Sequence, residues 1–129
     1  MFKTFFDVRD YECDIEGIVN NSVYLNYMEH ARHKYIKNIG IDFAKLAMDG
    51  LHLVVTRAEI DYLGSLKSGD SFYVTVEMKR ETRLKMSFLH TVCRCSDHKV
   101  MCSGKVFGVG LNKKGRPERL EKFGIKLED

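Results

Sequence analysis

Between Ser71 and Arg80, Phe72, Val74, Val76 and Met78 alternate with Tyr73, Thr75, Glu77 and Lys79, the period of two expected of a strand with one face on a core. Leu51 to Leu63, Lys85 to Cys95 and Lys99 to Leu111 carry a looser form of the same pattern. The breaks between them are Gly64 to Asp70, Glu81 to Leu84 and Ser96 to His98, and the last two suit antiparallel hairpins. Phe2 to Arg9, rich in Phe and Val, predicts a first strand, followed by an irregular polar segment through Gly17. From Ser22 the period changes. Tyr24, Met28, Ala31, Tyr35 and Ile39 recur at steps of three and four with Tyr27 beside them, which predicts a helix with one broad apolar face. Asn20, Asn21 and Ser22 are its candidate N-caps and Gly40 its end. A shorter helix is expected over Asp42 to Asp49, closed by Gly50, and a tail around Pro117 that turns helical.

The sum is an α+β domain, a five-stranded antiparallel sheet with one long helix buried against it. One helix leaves part of such a sheet uncovered, so a homo-oligomer formed through sheet or strand edges is expected, a dimer or tetramer. The 129 residues fit one domain spanning 1–129, and no linker, repeat or low-complexity run divides them. No stretch approaches the roughly 18 apolar residues of a membrane span, and Met1 to Asp7 lacks the apolar core of a signal peptide, so the expected address is cytoplasmic. Cys13, Cys93, Cys95 and Cys102 form no CxxC pair, and the five histidines add no zinc-ligand spacing; no metal or other cofactor is expected. A net charge of +3, with basic residues scattered among acids, gives no nucleic-acid patch and leaves room for a small anionic ligand.

The stretch from Asp14 to Arg32, DIEGIVNNSVYLNYMEHAR, changes the picture. It resembles the signature of the 4-hydroxybenzoyl-CoA thioesterase-like branch of hotdog proteins: an Asp, two variable residues, Gly, then a helix start rich in Asn or Tyr and a Tyr-x-x-Tyr-x-Glu-x-Ala-Arg run. The resemblance extends to Val8-Arg9 and to Ile60–Leu63 and Gly69-Asp70. It implies the hotdog fold, in which a curved sheet wraps one long helix, and an acyl-CoA thioesterase, with an acyl carrier protein thioester as the alternative substrate. Asp14 is implied as the catalytic carboxylate, and backbone amides near Asn20 and Asn21 as the oxyanion hole. Unpaired N–H groups and the positive dipole end of a helix suit a developing oxyanion. Gly17 permits a tight turn and close approach of the acyl group. Ile18, Val19, Asn20, Tyr24 and Tyr27 are expected to border the substrate, and Asn21 to orient a water. A thiolate departs without much help from an acid, so one carboxylate and an oxyanion hole suffice, with Asp14 acting as nucleophile or as general base. Many relatives carry His where this chain has Ile18, and some where it has Asn21, which leaves mechanism and substrate preference open.

Rival assignments are weaker. Glu29 is the other carboxylate in reach; Arg32 and His33, three and four residues on, make it a helix-surface pair of a few tenths of a kcal/mol. His30 and His33 lack a third metal ligand, and Cys13 lacks a His–Asp partner. Lys79, Arg80, Arg83 and Lys85 form a solvated face or a contact for coenzyme A phosphates. Two other activities occur on such folds: hydratase chemistry, which pairs a His with an acid, and non-catalytic acyl-CoA binding. No His stands at the helix start for the first, and Asp14 with Gly17 argues against the second.

Overall fold

The computed structural model describes residues 1–125. Strand β1 (Phe2–Asp7) leads through a 3-10 turn (Asp10–Glu12) into helix α1 (Asn21–Asn38), a short helix α2 (Phe43–Met48), and strands β2 (His52–Tyr62), β3 (Ser71–Arg80), β4 (Lys85–Arg94), β5 (Val100–Leu111) and β6 (Pro117–Glu118). All strand pairs are antiparallel, in the order β1, β3, β4, β5, β2, with β6 added to the end of β5. The sheet therefore has six strands where the pattern predicted five. Pro117, expected in a helical tail, starts the sixth: it faces Leu111 across a turn closed by Asn112, and only then does a 3-10 turn follow at Leu120–Phe123. A two-residue strand is too short to show a period, and proline at its first position withholds an N–H the ladder does not need.

Phe6, Phe72, Val74, Met86, Phe88 and Val92 line the face that receives α1, whose Tyr24, Tyr27, Met28, Ala31 and Ile36 complete the core. Ile39, expected on that face, is 41% exposed, and Ile36 takes the inward position one turn earlier. The helix lies mainly over β1 and β3, toward one side of the sheet. Its approach depends on Gly104: a Cβ there would meet Met28 Sδ at 2.8 Å and Ile60 Cδ1 at 2.9 Å. Asp42 caps α2, its carboxylate accepting from the N–H groups of Ala44 and Lys45. At α1 the expected cap is absent as a side-chain bond: Asn20 stands at the N-cap position, yet its side chain accepts no N–H.

The far side of the sheet from β1 ends at β2, an 11-residue edge strand with no fully buried position. Val55, Tyr62 and, just past the strand, Leu63 are 55%, 45% and 58% exposed. Among the described residues no helix is long and apolar enough to cross a membrane.

Candidate active site

Asp14 sits at the head of a tight turn. Its N–H donates to the Ile18 carbonyl at 2.9 Å and its carbonyl accepts from Gly17 N–H at 3.0 Å, so four residues reverse the chain. Gly17 stands at φ +79°, where a Cβ is unwelcome. One carboxylate oxygen, Oδ1, accepts from Glu16 N–H at 2.9 Å and more weakly from Ile18 N–H at 3.4 Å. Isolated bridges join Cys13 to Val19 and Ile18 to Lys67, and Val19 N–H donates to the Leu66 carbonyl. The turn is thereby pinned to the segment that follows β2.

A second set of bonds joins the turn to the helix. The Glu12 carboxylate accepts from Arg9 N–H at 2.8 Å and from the Tyr27 hydroxyl at 3.0 Å, while its carbonyl accepts from Asn20 N–H at 3.1 Å. Burial and then the Glu12 carboxylate raise the Tyr27 phenol well above its usual range, so it remains a donor. Asn20 N–H is therefore occupied by the Glu12 carbonyl. Val23 N–H already bonds the Asn20 carbonyl. Asn21 and Ser22 are left as the helix-start amides without a backbone acceptor among the described residues.

Ile18, Val19, Asn21 and Tyr24 line one cleft of about 280 Å3, closed on the other side by Tyr62, Leu63, Gly64 and Ser65. The Tyr62 hydroxyl donates to the Asn21 carbonyl at 3.1 Å, and the Tyr24 hydroxyl accepts from Leu66 N–H at 3.2 Å, its ring 5.7 Å from that of Tyr62. Asp14 and Gly17 are not in the lining; they form the turn that leads into it. Tyr27 faces away, packed on Phe6 and Phe72 and lining a larger cleft of about 610 Å3 beside β1. The eight candidates thus divide: four share the small cleft, two make the adjoining turn, Asn20 ties the turn to Glu12, and Tyr27 secures that tie.

Several residues the pattern left out matter here. Tyr62 and Leu63 fell within the strand-end segment of the resemblance, but only the fold brings them against Asn21. Glu12 had no sequence signal. The Glu29–Arg32 surface pair does not form: Arg32 turns inward, 7% exposed, and its Nη1 lies 3.3 Å from His90 Nε2, while Glu29 stays exposed. Of the basic cluster, Arg80 pairs with Glu121 at 2.9 Å. Among the described residues no group of three or more His, Cys, Asp or Glu side chains is arranged to hold a metal ion.

The sequence profile of the thioesterase-like superfamily matches residues 8–124. A chloroplastic acyl-acyl carrier protein thioesterase of Arabidopsis thaliana is 34% identical over 113 residues, 88% of this chain; the match spans 60% of that relative's length. Among solved structures, a hypothetical protein from Aquifex aeolicus superposes with a TM-score of 0.86 at 24% identity, over 95% of this chain and 94% of its own. A 1,4-dihydroxy-2-naphthoyl-CoA thioesterase from Synechocystis superposes with a TM-score of 0.87 at 13% identity, over 92% of this chain and 88% of its own. The antiparallel sheet around one long helix is the hotdog architecture of these neighbours.

Proposed function

The chain belongs to the thioesterase-like superfamily, and from that premise we propose that it hydrolyses acyl-CoA to a carboxylate and free coenzyme A, with Asp14 as the reacting carboxylate. The observation that carries this is the fixed turn that sets Asp14 directly before the cleft under the start of α1. One oxygen of its carboxylate is anchored by Glu16 and Ile18 N–H, which leaves the other without a partner among the described residues. The Asn21 and Ser22 amides meet the carbonyl oxygen as it gains charge, and the helix dipole acts in the same sense. Asp14 either adds to the thioester carbonyl, expelling the thiolate and leaving an anhydride that water opens, or takes the proton from a water that adds in its place. Both routes end in the same acid and thiol. Ile18, Val19 and Tyr24 border the acyl group.

The exposed edge of β2 supports a dimer in which a second copy adds to the sheet and covers the cleft that Tyr62 and Leu63 leave open. Four free cysteines suit a reducing compartment such as the cytoplasm. The Arabidopsis relative is named as an acyl-acyl carrier protein thioesterase, which makes acyl carrier protein thioesters the second substrate class to assay.

The test is release of free thiol from a panel of acyl-CoA substrates, wild type against Asp14→Asn. Asparagine keeps the Oδ1 acceptor of the turn, so the fold persists while the charge is lost. A fall of roughly 10²–10⁴ in kcat is expected. Equal turnover by the two proteins refutes the site. If neither releases thiol while acyl-CoA still binds, the protein is a non-catalytic acyl-CoA binder. Glu29→Gln in the same assay is expected to lose less than about tenfold, under about 1.4 kcal/mol of barrier.

A further inference from the structure

Tyr62 ends β2 and reaches the start of α1, where its hydroxyl donates to the Asn21 carbonyl at 3.1 Å. The side chain is held for that contact. Its ring meets Tyr24 edge-on with centroids 5.7 Å apart, and Tyr24 is itself buried, its hydroxyl accepting from Leu66 N–H at 3.2 Å. The backbone that follows is fixed as well, since Leu63 N–H and Gly64 N–H both donate to the Met101 carbonyl at 2.9 Å. The Tyr62 hydroxyl is therefore presented to Asn21 by an anchored strand end.

The Asn21 carbonyl and the Ser22 N–H are the two ends of one planar peptide group. A donor on the carbonyl oxygen draws electron density from the nitrogen and leaves the N–H more positive, so each bond in such a chain strengthens the next by about 10–30%. The oxygen has two lone pairs, which lets Tyr62 add to the bond that Asn21, as the first residue of α1, contributes to the helix ladder. Ser22 N–H in turn has no backbone acceptor among the described residues. The polarisation thus runs from the Tyr62 hydroxyl, through the peptide, to an amide left open for an incoming oxygen. Asn21 N–H belongs to the preceding peptide, so Tyr62 acts on one of the two helix-start donors.

We propose that Tyr62 is a positioning residue for thioester hydrolysis: through the Asn21–Ser22 peptide it orients and strengthens Ser22 N–H as the principal oxyanion donor. The inference rests on the proposed hydrolysis and assigns, within it, which of the two amides carries the greater share. Loss of a whole oxyanion donor lowers kcat by about 10²–10³. Taken on a logarithmic scale, 10–30% of that effect is about two- to eightfold, the part that Tyr62 supplies.

The experiment uses the intact protein and Tyr62→Phe, which keeps the ring on Tyr24 and removes the hydroxyl. NMR without substrate reads the peptide directly: the Asn21 carbonyl carbon and the Ser22 amide proton are expected to move upfield together, while the Asn21 amide proton stays in place. Thiol release from acyl-CoA is expected to fall about two- to eightfold in kcat at unchanged KM. A tyrosine fluorinated beside the hydroxyl, installed at position 62, is a stronger donor of nearly the same shape. It is expected to raise kcat slightly below neutral pH, where its phenol keeps the proton, and it makes the decision should Tyr62→Phe not fold. The proposal falls if the Ser22 amide proton does not move, if Tyr62→Phe raises KM at constant kcat as a ring that only borders the acyl group would, or if the fluorinated side chain lowers kcat. Failure of the hydrolysis itself looks different, because wild type then releases no thiol; here thiol release persists and it is the Ser22 signal or the split between kcat and KM that fails.

Discussion

Replacing Glu12 with alanine probes the tie between the Asp14 turn and the helix. The carboxylate accepts two hydrogen bonds, one from Arg9 N–H at 2.8 Å and one from the Tyr27 hydroxyl at 3.0 Å. Arg9 is exposed and water replaces its lost acceptor at a cost below about 1 kcal/mol. Tyr27 is different: it is 4% exposed, so its hydroxyl is left without a partner, at about 1–3 kcal/mol. Together Glu12→Ala should cost about 2–3 kcal/mol, or roughly 10 °C in Tm for a domain of this size. Chemical denaturation gives the number and a double-mutant cycle gives its cause. Tyr27→Phe removes the stranded hydroxyl, so Glu12→Ala in that background should cost about 1 kcal/mol, a coupling of about 1–2 kcal/mol. A single-mutant loss under about 0.5 kcal/mol, or two substitutions that add within about 0.5 kcal/mol, refutes the reasoning.

Two further outcomes follow from packing and charge. At Gly110 a Cβ would meet the buried Phe123 ring at 2.2–2.8 Å, so Gly110→Ala should cost about 1–3 kcal/mol of overpacking, read as a lower denaturant midpoint with an unchanged slope. Burial holds His90 down at about 4, with Arg32 adding to the shift against the Thr75 hydrogen bond. The unfolded chain takes up that proton near the ordinary value of 6.5 and the native one does not, so the stabilisation is full above about pH 6.5. It is lost as the pH falls toward 4, by a total of about 3 kcal/mol. Unfolding measured between pH 7 and 4.5 should show this slope in wild type and a flatter one in His90→Asn.

The fold was readable where one residue's neighbours in sequence decide its environment. Ser71 to Arg80 was recovered to the residue, although Tyr73 and Thr75, on the supposedly wet face, are also buried, because β1 and β4 flank them on both sides. The helix was found from its apolar spacing, with the error at Ile39 confined to the last turn, where frayed ends follow packing rather than period. What spacing could not show is which partner a polar side chain meets across the fold. Arg32 was placed on the surface because Glu29 stands three residues before it, yet the partner that holds it, His90, is 58 positions away. The same holds for the Asn20 amide, which the resemblance placed among the helix-start donors: the carbonyl that occupies it belongs to Glu12, across a turn whose closure depends on Gly17.

The uneven anchoring of α1 has a dynamic consequence. Its first turns are tied by Asn20 to Glu12, by Tyr27 to Glu12 and by Tyr62 to Asn21, while beyond Ile36 it ends in Gly40 and a short α2 that buries Leu46 alone. Opening free energies should therefore be graded along the chain, with amides near Tyr24 exchanging only on global unfolding and those of residues 43–50 exchanging through local excursions. Motion is thus concentrated at the end of the helix remote from Asp14. That makes residues 47–50 the place where an inserted peptide or a circular break should leave the turn at Asp14 undisturbed.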